Sequence, residues 1–234
     1  MEKIQTFAPV MIPTLCRDTH FIRCIESLKR NKYAQCTDLY IGLDYPAKDS
    51  HIPGYQKICA YLDKGIEGFL SVTILRHTEN KGSSENSRLL REKIFETHDR
   101  YIFSEDDNEF SPNYLEYMNK CLTAYQDDDT VLAVTGFNYP INTSEFTGNV
   151  YTNSIYFAAF GYGIWKEKWL RARKEITLEL LNSAYKNTSF MNMFRRQGAN
   201  QYCNFVKGML GYTNDLIQND TLRIIDLSYG IYML

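Results

Sequence analysis

The first 137 residues alternate short apolar runs with amphipathic segments, and this alternation constrains the fold more than any other feature of the sequence. In the amphipathic segments the apolar residues recur at the three- and four-residue spacing of a helix face. The predicted strands are 7–15, 38–44, 69–77, 100–105 and 131–137, and the predicted helices are 19–30, 51–63, 84–97 and one opening at Ser111-Pro112. This β-α-β-α order predicts an α/β protein with a mostly parallel sheet flanked by helices.

The second part of the chain, residues 138–234, has a less regular pattern. It contains Tyr- and Asn-rich stretches over 138–163 and helical patterns near 166–187 and 200–210. We find no internal repeat and no low-complexity linker, so we predict a single domain over 1–234 with a ligand-binding half, 1–137, and a second half, 138–234.

An unusual concentration of acidic residues follows the fourth predicted strand, in the stretch FSEDDNEFSP at 103–112. Parallel α/β sheets bind ligands at the carboxyl ends of their strands, so this acidic segment stands where a ligand is expected. Carboxylates there can converge on a hard cation, Mg²⁺ or Mn²⁺, and leave other positions for water and phosphate. The alternative is that the acids favour the N-terminus of the following helix through its dipole.

Charge and cysteine usage narrow the class of protein. The net charge is −2 and there is no basic tail, so we expect no nucleic-acid partner. The six cysteines show no CxxC spacing, which argues against a zinc site or a disulfide scaffold and favours a reducing, cytoplasmic compartment. The N-terminus lacks the apolar core of a secretion signal, and no stretch approaches the roughly 18 apolar residues of a membrane span.

Five segments together resemble the GT-A-fold glycosyltransferases, in particular the group that contains N-acetylglucosaminyltransferase I and bacterial family 2 enzymes. They are PTLCRDTHFIRCIESL (13–28), GLDYPAK (42–48), RHTENKGSSENS (76–87), FSEDDNEFSPNYLEYM (103–118) and FGYGIWKEKW (160–169). The resemblance implies a Rossmann-like GT-A sheet, mixed and mostly parallel. It also implies an inverting, metal-dependent hexosyl- or N-acetylhexosaminyltransferase that uses a nucleotide-diphosphate donor, by expectation a UDP-sugar. The acceptor would be a hydroxyl of a glycan, a polysaccharide or a lipid-linked sugar.

The resemblance also implies that 1–137 is the nucleotide-sugar-binding half and 138–234 the acceptor-side half, and it implies roles for residues of the first half. Asp107, last of the Glu-Asp-Asp triplet in the position of the family's DXD motif, would hold Mn²⁺ or Mg²⁺. The residues implied to line the donor are Glu105 facing the ribose, Asp106 orienting the site, Arg17 near the diphosphate, Asp44 accepting from the base, and Lys81 in the loop beside the nucleotide. The alternatives are a surface ion pair for Arg17 with Asp18, and a turn before Pro46 for Asp44.

An inverting transferase also needs a carboxylate that deprotonates the acceptor hydroxyl. Asp215, Asp220 and Asp226 are the candidates in the second half. The segment RIIDLSYGIYML (223–234) resembles the family's late helix, in which an Asp precedes an amphipathic run, so we predict Asp226 as the base. As an alternative, Asp226 would cap the helix that follows it.

Aromatic residues around a Gly-Tyr-Gly turn are the predicted acceptor-binding residues, namely Tyr162 and Trp165. Aromatic rings pack on the apolar faces of sugars much as they pack on one another. Tyr162 stands where the family more often has Trp, and the alternative is that these rings belong to the core. The chain ends within the apolar run Tyr232-Met233-Leu234, where relatives continue, which favours a C-terminal truncation.

Two further functions remain open from the sequence. The truncation favours a non-catalytic, nucleotide-sugar-binding relic of such an enzyme. A sugar-phosphate nucleotidyltransferase uses a similar sheet but normally has a Gly-rich N-terminal loop, and PTLCRDTH contains no Gly. We expect a cytoplasmic protein, with peripheral association at the inner face of the membrane if the acceptor is lipid-linked.

Overall fold

A computed structural model describes residues 6–137, 147–148, 150, 152, 157–196, 229 and 232–233. The chain divides into two compact units, the first formed by 1–138 with 159–167 and the second by 139–158 with 168–234. All strands of the sheet described below belong to the first unit. The prediction of a single domain over 1–234 stays a prediction.

The first unit is built on a six-stranded sheet with the order β3-β2-β1-β4-β6-β5. The strands are β1 (Val10–Thr14), β2 (Asp38–Leu43), β3 (Ser71–Arg76), β4 (Arg100–Phe103), β5 (Ala133–Thr135) and β6 (Tyr162–Trp165). Neighbours among β1 to β4 are parallel, and β6 is antiparallel to both β4 and β5. The predicted mostly parallel sheet is confirmed, and each predicted strand contains an observed one.

Helices connect and flank these strands. In the first unit they are α1 (Asp18–Lys29), α2 (Ile52–Asp63), α3 (Ser83–Phe95) and α4 (Tyr114–Ala124). Helix α5 (Lys166–Glu175) starts in the first unit and continues in the second, which also holds α6 (Leu178–Lys186) and α7 (Thr188–Arg196). Within the described residues, no helix has the length and apolar content needed to cross a membrane. The helical pattern near 200–210 lies outside the described residues.

The start of α4 differs from the sequence prediction. The helix begins at Tyr114 rather than at Ser111-Pro112. The Ser111 hydroxyl donates to Asn113 Oδ1 at 2.9 Å, and the Pro112 carbonyl accepts from the backbone N–H of Lys32 at 2.9 Å. These contacts hold the segment before α4 in a turn that is tied to the end of α1.

The core lies along the central strands. Strands β1 and β4 are buried over nearly their whole length, as expected for parallel strands covered by helices. Helix α1 buries Phe21, Cys24, Ile25 and Leu28, whose spacing is the three- and four-residue repeat of one helix face. The pattern that predicted this helix is therefore the pattern that packs it.

The order of the strands creates a switch point between β1 and β4. The chain builds β2 and β3 on one side of β1 and then returns to place β4 on the other side. Where two successive connections diverge in this way, a crevice opens at the carboxyl ends of the strands, and ligands bind there. The residues that follow β1 and those that follow β4 meet at this crevice.

Candidate functional site

Asp106 joins the two strands that flank the switch point. It lies three residues after β4 and is 3% exposed. The hydroxyl of Thr14, the last residue of β1, donates to Asp106 Oδ2 at 2.7 Å. The carboxyl ends of β1 and β4 are therefore connected by a buried hydrogen bond. The role of Asp106 in orienting the site stays a prediction.

Arg17 bridges the two neighbouring aspartates. Its Nη1 donates to Asp107 Oδ2 at 2.7 Å, and its Nη2 donates to Asp106 Oδ1. Partial burial works to lower the pKa of Arg17, but the hydrogen bond to Asp106 and the charges of both aspartates raise it above its ordinary value. The Arg17 side chain is 50% exposed and that of Asp107 is 33% exposed. One solvent-accessible guanidinium is thus shared by two carboxylates. The alternative of an ion pair between Arg17 and Asp18 is not what is observed, because Asp18 pairs with Lys57.

The backbone of the acidic segment is held against α1. Phe110 N donates to Ser27 Oγ at 3.1 Å, and the Cys24 thiol lies 3.7 Å from the Glu105 carbonyl oxygen. Burial raises the pKa of Cys24 to about 12, so this thiol stays protonated and serves packing. The chain after β4 therefore presents its carboxylates from an anchored backbone.

A second buried carboxylate, Asp44, follows β2 and holds the loop that follows β3. Its Oδ1 accepts from the backbone N–H groups of Tyr45 at 2.9 Å and Lys81 at 2.8 Å. Its Oδ2 accepts from Gly82 N at 2.9 Å and from Asn80 Nδ2 at 3.3 Å. We call this set of five residues the Asp44 clamp. A carboxylate offers about four acceptor positions, so a hydrogen bond from a nucleobase would have to displace one of these donors.

A buried polar network adjoins the clamp, since the backbone N–H of Asn86 donates to the Gly82 carbonyl oxygen at 3.0 Å. Asn86, on α3, donates through Nδ2 to the Gly42 carbonyl oxygen at 2.8 Å, and its Oδ1 lies 3.0 Å from His77 Nε2. A Cβ on Gly42 would come within 2.3 Å of Asn86 Oδ1, so only glycine allows this contact. The network joins α3 to β2. The side chain of Lys81, whose backbone belongs to the clamp, forms an ion pair with Glu79.

The two predicted acceptor residues lie in the core of the first unit. Tyr162 and Trp165 are the ends of β6 and are 1% and 4% exposed. The Tyr162 ring stacks on Phe103 with centroids 5.2 Å apart, and Trp165 Nε1 donates to the Leu122 carbonyl oxygen at 3.1 Å. Rings with this burial offer no face to a sugar, so the core alternative describes them. Asp226, with the other candidate bases Asp215 and Asp220, lies outside the described residues.

An exposed aromatic pair lies at the same edge of the sheet as the acidic segment, and the sequence analysis missed it. Phe137 and Phe160 are 38% and 43% exposed, and their ring centroids are 5.3 Å apart. Phe103, Tyr162 and Thr135 lie abreast on β4, β6 and β5, and Phe160 and Phe137 lie just beyond the last two of these. The available sequence signal was a large aromatic residue next to Gly161, but its partner comes from a distant part of the chain.

The ring of Tyr114 lies close to the glycines that flank this pair. A Cβ on Gly136 would approach the ring to 2.3 Å, and one on Gly161 would approach its hydroxyl to 2.8 Å. Among the residues that the structure describes, the buried hydroxyl of Tyr114 has no hydrogen-bond partner. Burial raises its pKa, so the hydroxyl remains neutral.

The acidic segment offers few protein ligands to a divalent metal ion. Within the described ranges, no three His, Cys, Asp or Glu side chains come together as a complete metal-binding group. Mg²⁺ and similar ions that act on phosphates are often held by only one or two carboxylates, with the other ligands supplied by water and the phosphates. Asp107 offers oxygen donors, is accessible and follows a sheet strand, so it fits a metal of this second kind.

Comparisons with known proteins were made by sequence and by structure. No family model matches the sequence, and no curated protein sequence matches it. One similar solved structure is the mannosyltransferase PcManGT from Pyrobaculum calidifontis in complex with GDP-Man and Mn²⁺, with a TM-score of 0.50 and 14% identity over 73% of this chain. The present chain covers 48% of that protein.

Two structures of S. aureus TarS are also similar, with lower scores. One gives a TM-score of 0.40 at 11% identity, covering 61% of this chain and 24% of TarS. The structure of TarS 1-349 gives 0.38 at 12%, covering 61% and 40%. The likeness to the mannosyltransferase shows the fold, and it confirms the predicted GT-A-like sheet, mixed, mostly parallel and flanked by helices.

Proposed function

We propose that this chain is a metal-dependent glycosyltransferase that takes a sugar from a nucleotide-diphosphate donor. The observation that carries the proposal is the meeting of Arg17, Asp106 and Asp107 at the switch point between β1 and β4. There an arginine and an accessible carboxylate lie where a doubly wound sheet binds its ligands. The mannosyltransferase with the similar fold was solved with GDP-Man and Mn²⁺, which supports a donor and a metal of this class.

In this proposal Asp106 and Asp107 of the acidic segment, together with Arg17, form the site for the diphosphate end of the donor. Asp107 would hold Mn²⁺ or Mg²⁺, with Asp106 orienting the segment through Thr14. The metal, when bound, neutralises the diphosphate and stabilises it as a leaving group. Arg17 binds the diphosphate oxygens, for which a planar guanidinium is well shaped. Glu105 faces the ribose.

The nucleoside end lies beside the Asp44 clamp. Because its oxygens are taken by four protein donors, Asp44 acts on the base mainly by fixing the loop that carries Lys81. A UDP-sugar is our first choice of donor. Hexosyl or N-acetylhexosaminyl transfer with inversion completes the proposed reaction.

The acceptor is proposed to be a hydroxyl of a glycan, a polysaccharide or a lipid-linked sugar. Asp226 remains our proposed base for an inverting transfer. The exposed rings of Phe137 and Phe160 replace Tyr162 and Trp165 as the surface for a sugar face, because they are accessible and lie beside each other just beyond the ends of β5 and β6.

The test is a calorimetric titration of UDP, GDP, CDP and dTDP into the protein with and without Mn²⁺. We expect one nucleotide to bind, and only with metal, because the cation joins Asp107 to the diphosphate, two negatively charged groups that repel each other without it. The variant Asp107→Asn is expected to abolish this binding. Glu109→Gln, an exposed acid of the same segment, is the matched control and is expected to bind as the wild type does.

Two results would contradict the proposal: nucleotide binding that is indifferent to metal, or unchanged binding by Asp107→Asn. Sugar transfer then separates the enzyme from a non-catalytic nucleotide-sugar-binding protein. A protein that binds the nucleotide with metal but transfers no sugar to any hydroxyl acceptor, water included, is the second kind.

A further inference from the structure

We propose that Arg17 couples metal binding to nucleotide binding by exchanging its partners. In the ligand-free protein it occupies the carboxylates of Asp106 and Asp107, and on donor binding it moves to the diphosphate and leaves Asp107 to the metal. This inference rests on the proposed function, and it adds an order and a cooperativity that the site residues alone do not imply.

The first step is competition at Asp107. The guanidinium of Arg17 donates through one nitrogen to Asp106 and through the other to Asp107. It does not bind a single carboxylate with both nitrogens. Charge-assisted hydrogen bonds of this kind are among the stronger polar contacts in proteins. A divalent cation that approaches Asp107 meets a positive charge already bound there, and like charges at contact distance repel. Without a nucleotide, the metal therefore binds weakly.

The second step is the release of Arg17. Its side chain is half exposed and directly precedes α1, so the guanidinium can turn into solvent without opening the core. Asp106 keeps the hydrogen bond from Thr14 when Arg17 leaves, so its buried carboxylate is not stripped of all donors. Arg17 thus has a low barrier to exchange, in contrast to a fully buried ion pair.

The third step is the binding of Arg17 to the diphosphate. Arginine binds phosphate oxygens with the same planar fork that binds carboxylates, so it exchanges one partner for an equivalent one. The departure of Arg17 frees Asp107 for the metal, and the metal in turn binds the diphosphate. Linkage requires the effect to be mutual, so each ligand raises the affinity of the other.

The experiment measures Mn²⁺ binding to the nucleotide-free protein, by the spin-resonance signal of free Mn²⁺, for the wild type and four variants. Arg17→Gln keeps a polar side chain without the charge and is expected to bind Mn²⁺ alone about tenfold more tightly, within the usual range of coupling between sites. The same variant is expected to bind the nucleoside diphosphate less tightly in saturating Mn²⁺. Arg17→Lys, which keeps the charge but loses the fork, is expected to fall between it and the wild type.

Two variants serve as controls. Arg23→Gln removes a neighbouring arginine that pairs with Glu109 at 3.7 Å while both side chains are largely exposed, so both affinities should stay unchanged. Asp107→Asn should lose Mn²⁺ binding, because it removes the carboxylate proposed to hold the metal. A thermal unfolding transition, measured for every variant, checks that each one is folded.

The outcomes separate the inference from the proposed function. If the wild type binds nucleotide with Mn²⁺ but Arg17→Gln binds Mn²⁺ alone no more tightly, the coupling role is overturned and the proposed function stands. If Arg23→Gln tightens Mn²⁺ binding as much as Arg17→Gln, a general charge effect replaces the exchange and the inference is again overturned. If the wild type binds neither Mn²⁺ nor nucleotide under any condition, the proposed function fails, and the inference fails with it.

Discussion

Asp44 and Asp106 are two carboxylates of equal burial at the same edge of one sheet, yet their surroundings differ. Each is 3% exposed. Asp44 accepts from three backbone N–H groups and one side-chain amide, all uncharged. Asp106 accepts from the hydroxyl of Thr14 and from the half-exposed guanidinium of Arg17.

The two carboxylates differ in how easily their hydrogen-bond donors can move away. A backbone N–H cannot leave Asp44 unless the whole loop moves, because the peptide is part of the chain. A guanidinium at the end of a long side chain can leave Asp106 by rotation about its own bonds. Burial is the same in both places, so only the partners distinguish the two carboxylates, and our proposal assigns ligand entry to the one whose partner can be exchanged.

The largest expected effect on the free energy of unfolding comes from removing the carboxylate of the Asp44 clamp. Asp44→Ala removes the acceptor of four donors, and we expect it to lower the free energy of unfolding by about 3 kcal/mol, since buried donors left without partners are expensive. Urea-induced unfolding measures the change. Asp107→Ala, at the more exposed neighbour of Asp106, is the control. It should change the free energy of unfolding by less than about 0.5 kcal/mol. Equal losses in the two variants would remove the distinction between them.

An intermediate effect is expected at Thr14, the uncharged partner of Asp106. Thr14→Val keeps the shape of the side chain but removes the buried donor, so we expect a loss of roughly 1–2 kcal/mol in the free energy of unfolding. Thr130→Val, at an exposed threonine that bonds the nearby Asp128, is a matched control with a smaller expected loss. A variant as stable as the wild type would mean that Arg17 alone satisfies Asp106.

The smallest expected effect concerns Arg17 and its dependence on salt. We expect Arg17→Gln to lower the free energy of unfolding by less than about 1 kcal/mol, because the pair is half exposed and solvent screens it. Repeating the unfolding at high salt should shrink this difference further, since the Debye length falls to about 3 Å at 1 M. The four donors to Asp44 are uncharged, so the loss of unfolding free energy in Asp44→Ala should persist at high salt. A large, salt-independent loss at Arg17 would make it a fixed support like the clamp.

The sequence by itself determined the parallel part of the sheet and the place of the acidic segment. Strands β1 to β4 and helix α1 were predictable because burial repeats locally along each of them, with a period that residue types report directly. The position of Asp106 and Asp107 followed from the same reasoning, since they come straight after a buried strand. The residue types at that position predicted a hard divalent cation as the ligand, and this stays a prediction.

Only the tertiary structure decided which partner each of these residues takes. Strand β6 pairs with β4 and β5 across a large separation in sequence, and that pairing buries Tyr162 and Trp165 and brings Phe160 beside Phe137. The four donors on Asp44 and the sharing of Arg17 between two carboxylates likewise join segments that follow different strands. The physical reason is that periodicity reports whether a side chain is buried, whereas its contacts depend on chain segments that no local pattern brings together.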